Sequence, residues 1–111
     1  MLFEAEIADL IEFARQDYLK FFEKLPEGPG YLEPIFELKA LDNQKFIKIV
    51  EVTGGKPSRV WGFISKGVDG KFKAGDLLKA ANWNAPAKNF ARGSVLDKAV
   101  WPATVKWTGI R

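Results

Sequence analysis

The chain of 111 residues contains no cysteine and no histidine. Without cysteine there are no disulfides and no thiolate metal ligands. Without histidine the commonest general base near neutral pH and the commonest metal ligand are missing. Serine–histidine and cysteine–histidine nucleophile schemes fall with them. Long apolar runs are lacking too: no stretch approaches the roughly 20 continuous apolar residues of a membrane span. The N-terminus is acidic and lacks the cationic region and apolar run of a secretory signal. These absences predict a cytoplasmic, non-enzymatic protein with no metal, no cofactor and no membrane partner.

Acid is scarce in one place. Between Asp76 and Asp97 there is no carboxylate side chain, and within that window residues 79 to 93 hold Lys79, Lys88 and Arg92, the aromatics Trp83 and Phe90, and Asn82, Asn84 and Asn89. Charge is unevenly spread along the whole chain. Residues 1–54 carry 6 Lys+Arg against 11 Asp+Glu, a net of −5, and residues 55–111 carry 11 against 3, a net of +8. Such asymmetry marks a basic binding face, or else an acidic helix and a basic sheet that neutralise one another.

Apolar residues make up 47% of the chain and charged residues 28%, ordinary values for a globular protein. Fifteen aromatics, nine Phe, four Trp and two Tyr, supply large core side chains. One domain spanning 1–111 is expected, with a helix over 2–25 and mainly β structure over 31–111. In the helix, Phe3, Ile7, Leu10, Ile11, Ala14, Tyr18, Phe21, Phe22 and Leu25 recur at spacings of three and four. Leu2, Phe13 and Leu19 lie off that stripe, and either widen it or form a second contact. Pro26, Gly28, Pro29 and Gly30 end the helix.

Ile35–Leu41 alternates as a strand, Asp42-Asn43 signals a turn, and Phe46–Val52 is apolar on both faces, as an interior strand is. Residues 53–58 are expected as a loop, Arg59–Lys66 as a third strand, and Gly67–Gly70 as a tight connection. Lys71–Ala74 and Asp76–Ala81 follow as one interrupted strand or two short ones, with Gly75 as a bulge or bend. Pro86–Ala91 fits a short helix with Pro86 in its first turn and Gly93 past its end, or an irregular turn. Ala99–Trp107 alternates weakly and reads as an edge strand carrying Pro102. The fold class is therefore α+β: a long helix on an antiparallel sheet of about four or five strands.

The motifs of chemistry are few. Gly54-Gly55-Lys56-Pro57-Ser58 fails as a phosphate loop, because Val50 stands at the required first glycine and Pro57 where Ser or Thr belongs. Asp76 either anchors Lys79, Lys88 or Arg92 or serves as a turn residue beside Gly75. Trp83 either stacks a nucleobase whose edge Asn82 and Asn84 read, or plugs the end of the core. Lys88 and Arg92, four apart, would share one side of a helix as a two-pronged cation. Trp61 belongs to the core on this reading, and Trp101 and Trp107 are the candidates for exposed contacts.

The run Gly75-Asp76-Leu77-Leu78-Lys79-Ala80-Ala81-Asn82-Trp83-Asn84-Ala85-Pro86-Ala87-Lys88-Asn89-Phe90-Ala91-Arg92-Gly93-Ser94-Val95 resembles a signature of small uncharacterised proteins of tailed bacteriophages and their prophages. Lys45–Val50, Val60–Ile64 and the terminal Gly109-Ile110-Arg111 are similar to flanking parts of that family, so the resemblance covers residues 30–111. It implies a phage origin, the host cytoplasm and one compact domain, and it carries no assigned activity. The favoured expectation is nucleic-acid binding through Lys79, Asn82, Trp83, Lys88 and Arg92. The alternatives are a protein-interaction or homo-oligomerisation module using Leu2, Phe13, Leu19 and the late tryptophans, and, more distantly, an enzyme acting on a small polar or phosphorylated substrate.

Overall fold

A computed structural model of the chain describes residues 1–24, 36–68 and 70–111. The expected helix forms as α1, Glu4–Glu23, with Glu4 and Glu6 in its first turn and Lys20 in its last, as the helix dipole favours. It begins without a side-chain cap: Phe3 takes a left-handed conformation, φ 60°, and its carbonyl accepts the Ile7 N–H at 2.7 Å. Ile7, Leu10, Ala14 and Phe22 are buried from the predicted stripe. Phe21 is not; it is 44% exposed and lies with its ring 5.0 Å from that of Trp107. The helix breakers at 26–30, Leu25 and Ile35 fall outside the described residues.

Four antiparallel strands follow in the order β1 (Glu37–Asp42), β2 (Phe46–Thr53), β3 (Lys56–Ser65) and β4 (Leu77–Leu78). The predicted β1–β2 hairpin holds, with Lys39 opposite Val50 and Leu41 opposite Lys48. The predicted loop at 53–58 shrinks to two residues. Thr53 pairs with Lys56 across Gly54 and Gly55, whose φ values are 60° and 81°. Positive φ at both central residues is what a two-residue hairpin turn matching strand twist requires, and glycine supplies it. Ser58 Oγ then bonds Thr53 Oγ1 at 2.9 Å and the Glu51 carbonyl at 3.1 Å, so the polar residues read as loop hold the strand end instead.

Each sheet face has its own core. Leu38, Ile47, Ile49, Ile64 and Leu77 pack with Ile7, Leu10 and Ala14 of α1 and with Trp61, Val95, Trp101, Val105 and Ile110. Phe63, Phe72 and Leu78 form a smaller cluster, joined by Phe46, Val60, Ala80 and Ala91. Because side chains alternate along a strand, Phe46 and Lys48 share this second face with Phe63, which lies opposite Lys48.

Beyond β3 the expectations need correcting. Residues 71–75 make turns rather than a strand, with Asp76 Oδ2 accepting the Lys73 N–H at 2.9 Å. Of the two alternatives for 86–92, the irregular one holds. The short helix lies later: a 3-10 turn at Lys98–Val100 leads into α2, Trp101–Thr104, where the edge strand was expected. Asp97 caps it by accepting the Ala99 N–H at 3.2 Å, and Pro102 sits in the first turn, where its missing N–H is no loss. Only β5 (Val105–Lys106) and β6 (Gly109–Ile110) pair in this region.

Candidate nucleic-acid interface

The window begins where β4 is extended by single bridges. Asp76 pairs with Ser94 and Ala80 with Pro86. Leu77 N–H donates to the Gly93 carbonyl at 2.9 Å, and Ala87 N–H to that of Lys79 at 2.7 Å. The chain thus runs out along 76–80, turns at 81–85 and returns along 86–94. Residues 88–91 are displaced from the ladder. The turn is built by Asn82: its Oδ1 accepts the N–H groups of Asn84 (2.8 Å) and Ala85 (3.0 Å), while Ala81 and Asn82 N–H both donate to the Ala85 carbonyl. Asparagine favours such local closure, and the carbonyl end of Asn82 is thereby committed to the turn.

Arg92 is drawn onto its own loop. Its guanidinium lies 4.0 Å from the Phe90 ring centroid and donates to the Phe90 carbonyl at 3.2 Å and to Asn89 Oδ1 at 3.1 Å. Lys88 and Arg92 therefore do not form a helical pair. Lys88 is exposed, with Nζ 5.7 Å from the Phe46 ring, and its carbonyl accepts from Lys71 Nζ. Lys79 is exposed at the β4 edge. Among the described residues no ion pair joins Asp76 to Lys79, Lys88 or Arg92, so Asp76 acts as the turn residue.

Trp83 is 43% exposed, and Lys48 Nζ lies 3.9 Å from its ring centroid. Lys48 itself is only 7% exposed, in the middle of β2, and burial pushes its pKa below the usual lysine range. The sequence expectation missed Lys48 because Phe46–Val52 reads as apolar on both faces. The available signal was a lysine between Phe46 and Val50 in an interior strand, where charge is rarely buried unless paired.

The acids of α1 are met elsewhere. Lys98 Nζ pairs with Asp9 Oδ2 at 2.5 Å, and Asp17 Oδ2 accepts the Trp107 N–H at 2.9 Å. These contacts border a groove of about 600 Å³ between α1 and the C-terminal segment, whose lining includes Phe13, Trp101 and Lys106 but not Asp76. The residues proposed for a contact surface are mostly occupied. Trp101, 2% exposed, packs edge-on against Phe13 and donates to the Ser94 carbonyl at 2.9 Å. Trp107 is half-buried among Tyr18, Phe21 and Phe36, Leu19 is half-buried, and Leu2 is exposed. Trp61 lies in the core as expected and donates to the Lys106 carbonyl at 2.9 Å. Among the described residues no group of three or more acids could hold a metal ion, and no helix is long and apolar enough to cross a membrane.

The architecture is that of a small α+β protein whose basic, aromatic loop covers one side of an antiparallel sheet and whose acidic helix covers the other. The chain belongs to a family of unknown function, DUF7717, which matches residues 7–110. No curated protein and no solved structure matches it.

Proposed function

We propose that this chain is a phage-encoded, non-enzymatic module that binds nucleic acid on the sheet face opposite the acidic helix. One observation carries the reading. Lys88 and Trp83 lie on the face away from α1, Lys79 is exposed just past β4 on the edge strand of the sheet, and neither cation has an ion pair among the described residues. The helix acid Asp9 takes its partner from Lys98 instead. Exposed cations beside an aromatic platform are the two parts that single-strand binders combine. The phage origin rests on the likeness of residues 75–95 to phage and prophage proteins, and it puts the protein's work in the host cytoplasm.

The test is a titration of labelled single- and double-stranded DNA and RNA at low and physiological salt. Binding is expected to weaken steeply with salt as counterions are released. Lys79→Gln with Lys88→Gln should reduce the salt slope by roughly two, about one for each lost phosphate contact. No binding at the lowest salt would remove the proposal.

A further inference from the structure

Among the described residues Lys48 stands out for burial without an ion pair. Its ammonium rises from β2 between Leu41 and Phe63 on the neighbouring strands. The residue as a whole is 7% exposed. Among the described residues it has no carboxylate partner and no hydrogen-bond acceptor. Buried charges are ordinarily paired, because desolvation is otherwise uncompensated. The group that meets this one is the indole of Trp83, at 3.9 Å from the ring centroid. An ammonium over an indole face is attracted by the ring quadrupole, and more strongly when desolvated. The Asn82-built turn holds Trp83 in place above it.

The arrangement changes what the rest of the indole can do. Lys48 approaches from the sheet side, and Trp83 remains 43% exposed. A cation on one side of an aromatic ring draws π density toward itself. Face-to-face repulsion between that ring and a second π system on the far side is then reduced. Large, electron-rich rings gain most, and among nucleobases those are the purines. A duplex keeps its bases stacked on one another and offers no face to the indole, whereas an unpaired base does.

We propose that Trp83, backed by the Lys48 ammonium over its ring, is a stacking platform for one unpaired purine, so that the partner is a single strand. This rests on the nucleic-acid reading of the same surface. Lys88, beside Phe46 on the same face, is the contact to that strand's backbone.

The experiment uses the full chain and labelled single strands about twelve nucleotides long, within the usual site size of single-strand binders. One strand is all thymidine, a second carries one central adenosine, and the second is also supplied as a duplex. The adenosine strand should bind most tightly, and its binding should quench tryptophan emission. Trp83→Leu should weaken single-strand binding roughly tenfold and leave duplex binding little changed. Lys48→Met keeps the stem and removes the charge; it should abolish the preference for adenosine over thymidine. Trp83→Phe, which retains an aromatic face, should keep part of the single-strand preference, so the platform remains testable if Lys48→Met does not fold. If single strands and duplex bind alike, or if folded Lys48→Met keeps the full adenosine preference, the platform is overturned while nucleic-acid binding stands. If no strand binds at any salt, the underlying reading fails as well.

Discussion

At the scale of single residues, Lys48 sets an electrostatic penalty that depends on pH. Burial lowers its pKa from the usual value near 10.5, so the folded protein releases that proton at lower pH than the unfolded chain does. Between the two values the unfolded state binds more protons, and stability rises with pH through that interval. Below it the penalty is present in full. Lys48→Met removes the charge, so its stability relative to the wild type should be most favourable at neutral pH, with the gap narrowing toward pH 10.5. Urea midpoints of both proteins across that range measure this, and a gap independent of pH would contradict it. The comparison cancels the other lysines, which titrate in both proteins. Sequence could flag Lys48 as a charge in an interior strand. It could not supply Trp83, because a contact between a strand centre and a distant turn leaves no trace in either periodicity.

Among elements, the docking of β6 onto β3 depends on Gly62. A Cβ placed on that residue would stand 2.6 Å from Ile110 Cδ1 and 2.9 Å from its Cγ1, and Ile110 is 3% exposed. Gly62→Ala should therefore destabilise by about 1–3 kcal/mol through overpacking. Adding Ile110→Val, which removes Cδ1, should recover part of the loss. Thermal unfolding of the two single variants and the double variant measures the coupling, and simple additivity would refute the contact as its cause. The helix and the β1–β3 meander were legible because stripes of period 3.6 and 2 each mark one buried face. The C-terminal segment was not. Ala99, Trp101, Ala103, Val105 and Trp107 fall at every second position and imitate a strand. Asp97 as a cap and Pro102 in a first turn were the overlooked helical signals. The turn-like alternative for 86–92 held because Asn82 closes the preceding turn and Arg92 N–H bonds Leu77, leaving no room for a helical ladder.

For the whole molecule, the formal charge of +3 conceals a separation of sign. The helix acids lie on one side of the sheet and the window cations Lys88 and Arg92 belong to the loop on the other. Even the shortest principal axis, 25 Å, is roughly three Debye lengths at physiological ionic strength, where that length is about 8 Å. Polyanion affinity should thus follow the local face rather than the total. Glu12→Gln with Glu23→Gln raises the formal charge to +5 and should change affinity at physiological salt less than twofold. Lys79→Gln with Lys88→Gln lowers it to +1 and should weaken binding by about tenfold or more. Equal and opposite effects, read by anisotropy, would mean that net charge governs. The Gly54-Gly55 turn has a consequence of another kind. It joins the two longest strands by the shortest possible connection, so their pairing closes almost no loop and is entropically the least demanding step in assembling the sheet. The C-terminal hairpin, whose Ile110 must find Gly62 from 48 residues away, is the long-range closure. Loop-closure entropy therefore favours pairing of the hairpin before docking of the tail, with Gly62 the place the tail must find.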